Sequence, residues 1–201
     1  MGIGSSVAGS AVQGRTQVPR FVIELAVALL GAAIYARTLG FELVFDDLSL
    51  LGSDGPVPVG NGLLPYRPLR YLSFLIDFNL GGGRSWVYHL TNVLLHALVT
   101  VLTLRTAIGL GARRAMAVAA CLAFAVHPLA VEAVAYVSGR RDLLATAFSL
   151  AAIGAWISPR PRSAIAVSLV MAAAASKESG VIVIGILGLA SAAGLGPSLR
   201  Q

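Results

Sequence analysis

The sequence predicts an all-α, polytopic integral membrane bundle of about six transmembrane helices, and three observations support this fold class. Hydrophobic residues make up 57% of the 201-residue chain, charged residues make up only 12%, and the mean hydropathy is +0.82. A soluble domain of this length would struggle to bury so much apolar surface. The apolar residues also fall into runs whose number and length suit membrane helices.

Six apolar runs are the candidate spans: residues 21–35, 86–104, 115–126, 143–157, 163–175 and 181–193. The fourth run and the two runs that flank Lys177 and Glu178 reach only about 20–23 Å as helix, less than a hydrocarbon core of about 30 Å. Flanking residues must extend these spans, or Lys177 and Glu178 lie at membrane depth as a pair. We therefore divide the chain into three parts. They are a disordered cytoplasmic tail (1–19), a helical membrane domain (20–195) with a long outer loop (38–85), and a short tail (196–201).

The charges of the connecting segments predict the orientation. With a cytoplasmic N-terminus, the inner segments hold eight arginines and one glutamate, whereas the outer segments hold seven basic and eight acidic residues. Because Lys and Arg accumulate on the cytoplasmic side, both termini are predicted to be cytoplasmic. The net charge of +6 then reflects topology and does not indicate nucleic-acid binding. The single Cys121 forms no internal disulfide and leaves the redox compartment open.

The first outer loop is far longer than a turn between spans requires, and such loops usually carry function. Asp46 and Asp47 follow the first span as neighbouring carboxylates, so at most one of them can face a given reacting atom. Helix capping or a solvated charge is the simpler interpretation of this pair alone. Further on, Pro68 predicts the start of a helix that ends at the glycines 81–83. Its narrow polar stripe of Arg67, Arg70, Ser73 and Asp77 is typical of a helix lying in the membrane surface.

The second span carries a polar seam at helical spacing: His89, Asn92, His96, Thr100 and Thr103. These residues share one face, which should point into the bundle. The two histidines cannot share a metal ion, because seven residues of helix separate them by about 10.5 Å. Interhelical hydrogen bonding is the simpler interpretation of Asn92, Thr100 and Thr103. His89 lies near the outer end and is more open to a functional role.

The densest polar cluster follows the third span. Pro128 disfavours helix at His127, and Glu132 lies on the short helix that follows. Arg140 and Arg141 then lie on the otherwise acidic outer side, where two guanidiniums suit an anionic group such as a phosphate. For Asp142, a helix cap with charges snorkelling at the interface is as good an interpretation as a functional role.

Taken in order, these strings resemble the N-terminal membrane part of the transmembrane and tetratricopeptide-repeat O-mannosyltransferases and their bacterial relatives. The strings are Phe45-Asp46-Asp47, Arg67-Pro68-Leu69-Arg70, Tyr88-His89 with Asn92 and His96, His127-Pro128, Glu132 to Asp142, and Ser176-Lys177-Glu178. The resemblance implies the GT-C fold, in its N-terminal half. It also implies transfer of a sugar from a polyprenyl-phosphate donor to a protein or glycan hydroxyl at the outer face of a bacterial inner membrane.

The resemblance also implies roles for single residues. The catalytic carboxylate falls on Asp46 or Asp47, with a small preference for Asp47, and Arg140, Arg141 or Lys177 would stabilise the departing phosphate. His127 and Glu132 would orient sugar or phosphate groups. The remaining candidates for substrate binding are Arg67, Arg70, His89, Asp142 and Glu178. No cofactor is assigned, and a doublet of aspartates does not decide whether a divalent metal takes part.

Two further functional classes remain as alternatives. A small polytopic transporter would line a pathway with the polar seam and with Lys177 and Glu178, although the runs 143–157 and 181–193 offer few polar residues. A non-catalytic membrane subunit is the other alternative. Repeats with a period of 34 residues do not follow Ala193, so we expect a truncated or partial family member whose missing C-terminal half is a separate chain or absent.

Overall fold

The computed structural model describes residues 18–52, 54–58, 66–160 and 162–196, and helices dominate this part of the chain. The α-helices are α1 (Arg20–Tyr35), α2 (Asp46–Leu50), α3 (Pro68–Gly81), α4 (Ser85–Gly109), α5 (Arg114–Ala125), α6 (Ala130–Ala135), α7 (Arg140–Trp156), α8 (Ser163–Ser176) and α9 (Ile182–Ala192). Short 3₁₀ turns cover Ala36–Gly40, Val137–Gly139 and Glu178–Val181. Two strands of two residues, β1 (Leu51–Gly52) and β2 (Gly55–Pro56), pair antiparallel in the outer loop. The all-α prediction is confirmed for the described residues, whereas the predicted tails lie almost wholly outside them.

Six helices run alternately up and down through the bundle: α1, α4, α5, α7, α8 and α9. Glu24 near the start of α1 pairs with Arg105 near the end of α4, so these two helices are antiparallel. Lys177 just after α8 pairs with Asp142 near the start of α7. The bundle therefore has two ends. The upper end holds Tyr35, Ser85, Arg140 and Ser176, and the lower end holds Arg20, Gly109, Trp156 and Ser163.

Within the described ranges, two helical segments are long and apolar enough to cross a membrane: Arg20–Gly40 and Ser85–Gly109. The segments Arg114–Ala125, Ser163–Ser176 and Glu178–Ala192 are apolar but shorter. The order and direction of the six helices match the six predicted runs, but the six membrane crossings stay a prediction.

Close approach of small residues brings the helices together. A Cβ atom at Gly31 of α1 would lie 3.1 Å from the Thr100 hydroxyl oxygen of α4. At Gly180, a Cβ atom would lie 2.4 Å from the Ala173 backbone, so the turn after α8 packs directly on that helix. Contacts of this kind allow backbones to approach where larger side chains would hold them apart.

Helix α3 begins at Pro68 and ends at Gly81, as the sequence predicts, with Gly82 in the left-handed conformation after it. Its polar stripe, however, faces the helix bundle, whereas the polar stripe of a helix lying in a membrane surface would face away from the membrane. Arg70 and Asp77 are buried against the bundle, whereas Leu72, Ile76 and Leu80 are exposed. The reason is an ion pair: Asp77 reaches the fully buried Arg140 of α7.

Candidate active site

A buried ionic network lies at the centre of the upper end. The Arg140 side chain is 0% exposed, and its Nη1 lies 2.6 Å from Oδ2 of Asp77. Its Nε donates to Oδ1 of Asn92 at 2.8 Å, and its Nη2 donates to the carbonyl oxygen of Tyr88 at 2.8 Å. The guanidinium also lies over the ring of Phe74, 4.7 Å from its centroid. Arg140 therefore ties α3, α4 and α7 together, and its predicted role in binding phosphate stays a prediction.

Asp47 ties the first outer loop to the turn that precedes Arg140. The Asp47 side chain is buried, and its Oδ1 accepts hydrogen bonds from the backbone amide (2.7 Å) and the hydroxyl of Ser138. Its Oδ2 accepts from the backbone amide of Val137 at 3.4 Å. The acid pair and the arginine pair thus converge at the same end of the bundle, although about 90 residues separate them. This carboxylate is occupied by the protein itself.

Asp46 differs from its neighbour, because it is exposed. Its backbone amide donates to the Tyr136 hydroxyl at 3.1 Å, which places the Asp46 carboxylate beside the α6–α7 segment. Burial raises the pKa of Tyr136, so its phenol stays neutral at physiological pH.

Phe45, the residue before Asp46, has a φ of 49°, a conformation that costs a side-chain-bearing residue free energy. Arg67, at the start of α3, has a φ of 57°. Among the described non-glycine residues, these two alone have positive φ, and such strain is concentrated at functional sites.

Arg67 and Glu178 join the start of α3 to the turn between α8 and α9. Nε of Arg67 donates to Oε1 of Glu178 at 3.2 Å, and Nη2 donates to Oε2 at 2.9 Å. This two-point contact with Arg67 lowers the pKa of Glu178 to about 2. The Arg67 guanidinium also stacks on the ring of Tyr66, 4.6 Å from its centroid.

A cavity of about 480 Å³ opens beside this network, and five predicted residues line it: His127, Glu132, Arg141, Asp142 and Lys177. The rest of its wall is mainly apolar, from Val99, Phe124, Leu129, Ala130, Ala133 and Leu143. Oδ1 of Asp142 forms an ion pair with the Lys177 ammonium, and Oδ2 of Asp142 lies 3.5 Å from Nε of Arg141, so two cations share one carboxylate. Nδ1 of His127 accepts from the Leu129 amide at 3.2 Å, which leaves Nε2 free to donate. A mainly apolar wall with a few convergent polar groups is typical of a ligand pocket.

Two guanidiniums of the upper end have buried nitrogen atoms without a hydrogen-bond acceptor in the described part of the chain. They are Nε of Arg70 and Nε of Arg141, the second of which lies 3.5 Å from the Asp142 carboxylate without hydrogen-bond geometry. Burial, together with the neighbouring charges of Arg67 and Arg141, lowers the pKa of Arg70. A buried donor without a partner costs free energy, about 1–3 kcal/mol and more for a charged group. Both nitrogen atoms are shielded from solvent, but the Arg141 side chain as a whole is 24% exposed and lines the cavity.

The polar seam of α4 is packed inside the protein. Asn92 bonds across to the α6–α7 segment as predicted, because its Nδ2 donates to the carbonyl oxygens of Val134 and Tyr136 at 3.2 Å each. The prediction of interhelical bonds from Thr100 and Thr103 is wrong. Their hydroxyls donate to His96 and Val99 of the same helix, a local bond that is always within reach of a helical threonine. His89 is 1% exposed and neither ring nitrogen has a partner among the described residues.

Sequence reasoning missed three residues of the site: Asp77, Tyr136 and Ser138. The sequence places Asp77 on the polar stripe of α3, and nothing in the spacing indicates that its partner is Arg140, 63 residues away. Ser138 lies inside the densest polar cluster, so its neighbours could have drawn attention to it. The described residues also contain no group of three His, Cys, Asp or Glu side chains close enough to hold a metal ion.

Comparison with known proteins identifies relatives over most of the chain. It is 34% identical over 161 residues to Protein O-mannosyl-transferase TMTC2 of Mus musculus, covering 68% of this chain and 18% of the relative. It is 38% identical over 182 residues to Protein O-mannosyl-transferase TMTC3 of Mus musculus, covering 77% of this chain and 20% of the relative. A Caenorhabditis elegans relative, Protein O-mannosyl-transferase F38B6.6, is 28% identical over 204 residues, covering 87% and 28%. The chain thus spans between 18% and 28% of the length of these relatives. No family model and no solved structure matches.

Proposed function

Because this chain belongs to the family of the TMTC protein O-mannosyl-transferases, we propose that it takes part in transferring a sugar, mannose or a close relative, from a polyprenyl-phosphate donor to a hydroxyl acceptor. The acceptor is a protein or a glycan. The reaction takes place at the upper end of the bundle, which faces the outside of the cell membrane. The architecture is that of the N-terminal half of a GT-C enzyme, with six membrane-crossing helices.

The membrane placement is supported by the outer surface of the helices. Large apolar side chains are exposed along the outward faces of four of them: Leu25 and Leu29 of α1, Leu94 and Leu98 of α4, Val167 and Met171 of α8, and Ile184 and Leu189 of α9. Water would disfavour so continuous an apolar surface, and lipid would not. Arginines are concentrated at the lower end (Arg20, Arg105, Arg113, Arg114 and Arg162), which supports a cytoplasmic lower end.

The single observation that carries the site is a cluster of cations at the upper end: Arg141 and Lys177 line the cavity, and Arg70 lies near enough for the charge of Arg141 to lower its pKa. A donor phosphate in this cavity would accept from the Arg141 guanidinium, whose side chain is 24% exposed. Arg fits such planar, charge-assisted contacts well. Lys177 lies in the wall of the same cavity as Arg141 and adds positive charge. The polyprenyl tail then leaves the site between the exposed apolar faces of the helices.

The chemical step requires a base, and we assign it to Asp46, because that carboxylate is exposed while Asp47 is occupied by Ser138. The acceptor oxygen attacks the anomeric carbon and forms the new C–O bond, and its proton passes to the Asp46 carboxylate. The bond between the anomeric carbon and the phosphate oxygen breaks, and the phosphate leaves with the electron pair. Arg70 and Arg141 stabilise that charge as it develops. Asp47 holds the turn Val137–Gly139, which immediately precedes Arg140 and Arg141.

The test separates the two aspartates. We expect Asp46→Asn to lower sugar transfer from a dolichyl-phosphate mannose donor by roughly 10²–10⁴-fold, since that is the usual contribution of a general base. Its thermal stability should be unchanged. Asp47→Asn should lower the thermal stability as well, because it removes a buried acceptor from the Ser138 turn. Full transfer by Asp46→Asn would refute the assignment.

Donor binding provides a second measurement, which does not depend on turnover. Arg70→Gln and Arg141→Gln should each weaken binding of the mannosyl-phosphate lipid, whereas Arg37→Gln, outside the site, should not. Equal binding by all three variants would remove the phosphate site from the proposal.

A further inference from the structure

A second large cavity lies at the lower end of the bundle, away from the candidate active site. Its volume is about 610 Å³, and it lies between the lower ends of α4, α7 and α8. The wall is built mainly from aliphatic side chains: Leu102, Leu150, Ile157, Ile165 and Leu169. Gly154 of α7 also lines it, and a Cβ atom there would meet nothing within 4 Å. A side chain at Gly154 would therefore have open space on the cavity wall to occupy.

Three arginines line the same cavity: Arg20, Arg105 and Arg162. Glu24 accepts from two of them: from Nε of Arg20 at 2.9 Å, and from Nε and Nη2 of Arg105 at 2.9 Å and 2.7 Å, which leaves Nη1 of Arg105 for another acceptor. Arg162 is exposed and forms no salt bridge with any residue of the described ranges. One carboxylate thus faces three guanidiniums, and two positive charges remain uncompensated beside an apolar cleft.

This combination of an aliphatic cleft with a cationic rim has the chemistry of one class of ligand. An anionic phospholipid has a phosphate that guanidiniums bind and acyl chains that an aliphatic wall accommodates. Basic pockets between membrane helices on the cytoplasmic side are typical sites for such lipids. A soluble phosphate compound would leave the aliphatic part of the cleft unused.

We propose that this lower cavity is a binding site for an anionic phospholipid of the cytoplasmic leaflet, which is separate from the sugar donor site. The phosphate contacts Arg105 and Arg162, and an acyl chain lies along Leu150, Ile165 and Leu169. The site rests on the proposed membrane placement but not on sugar transfer. A bound lipid would fix the lower ends of α4, α7 and α8 relative to one another.

The experiment compares the protein in vesicles of phosphatidylcholine with and without phosphatidylglycerol. We expect phosphatidylglycerol to raise the thermal unfolding temperature and to be retained on purification, as measured by mass spectrometry. The variant Arg105→Gln/Arg162→Gln should lower the apparent affinity for phosphatidylglycerol by roughly 30-fold, at about a fivefold contribution per basic residue. Gly154→Leu should lower it too, without any change of charge, because the new side chain fills the cleft.

The matched control removes the same charge elsewhere at the lower end. Arg113→Gln/Arg114→Gln should leave the preference for phosphatidylglycerol unchanged, because neither residue lines the cavity. An equal loss in this control would mean that only the general surface charge attracts the lipid, and would overturn the proposal. An unchanged affinity in Gly154→Leu would do the same. If the double variant does not fold, Arg162→Gln alone replaces it, since this side chain forms no ion pair among the described residues. Normal insertion into phosphatidylcholine without any preference would refute this site while leaving the membrane placement intact.

Discussion

Replacement of Arg140 by Met tests the buried network most directly. Arg140→Met leaves the Asp77 carboxylate, 4% exposed, without its cation and removes the donors to Asn92 and Tyr88. Breaking a buried ion pair on one side costs about 3–5 kcal/mol, because an uncompensated charge stays buried. We therefore expect the free energy of unfolding to fall by about this amount.

The neighbouring residue provides a control of the same chemistry. The Arg141 side chain is 24% exposed, and its partner Asp142 keeps the Lys177 ammonium. Such partly exposed pairs contribute about 0–1 kcal/mol, so Arg141→Met should not lower the free energy of unfolding by more than that. The two variants remove the same charge from adjacent positions, and only burial distinguishes them.

The double variant Asp77→Leu/Arg140→Met completes a thermodynamic cycle. Removing both charges leaves neither ion of this pair buried without its partner, so the double variant should be more stable than Arg140→Met alone. Thermal unfolding and unfolding in mixed micelles would provide the four free energies. A coupling energy below about 0.5 kcal/mol, or equal stabilities for Arg140→Met and Arg141→Met, would refute the structural role of Arg140.

Three further predictions concern single contacts. Gly139→Ala should lower the free energy of unfolding by about 1–3 kcal/mol, because the new Cβ atom would lie 2.6 Å from the carbonyl oxygen of Glu132. Gly154→Ala should be neutral or stabilising in the same thermal unfolding assay, because a Cβ atom there meets nothing within 4 Å. The lowered pKa of Glu178, about 2, means that its pair with Arg67 stabilises the fold fully above the ordinary value of 4.5 and is lost as the pH falls towards 2. The difference in unfolding temperature between the wild type and Glu178→Gln should therefore be small and constant above pH 5, and it should shrink below pH 5. A difference that grows below pH 5 would contradict the assignment. Tyr136→Phe should lower sugar transfer severalfold with little loss of stability, because it removes the hydroxyl that accepts a hydrogen bond from the Asp46 backbone amide. An unchanged rate of transfer would show that Tyr136 is not part of the site.

The sequence predicts the helices well where local chemistry determines them. Pro68 and the glycines 81–83 bound α3, and the six apolar runs correspond to the six alternating helices. Composition and hydrophobic periodicity determine such features, and both are visible within about 20 residues. The alternation of inner and outer connecting loops also predicts that Asp47 and Arg141 lie at the same end of the bundle.

Pairwise choices between neighbouring residues could not be predicted in this way. Arg140 and Arg141 are identical in type and adjacent, yet one is fully buried and the other lines a cavity. Asp46 and Asp47 differ in the same manner, and the preference for Asp47 as the base stays a prediction that its buried contacts do not favour. The deciding partners, Asp77 and Ser138, lie 63 and 91 residues away along the chain. Spacing along one segment carries no information on such contacts.

The inward-pointing charges of α3 have a mechanical consequence for the long outer loop. A helix held to its neighbours only by apolar contacts can slide or lift at little cost, but lifting α3 would take Asp77 away from Arg140 and leave the buried guanidinium without its carboxylate. The segment 68–81 therefore acts as a fixed wall of the upper end.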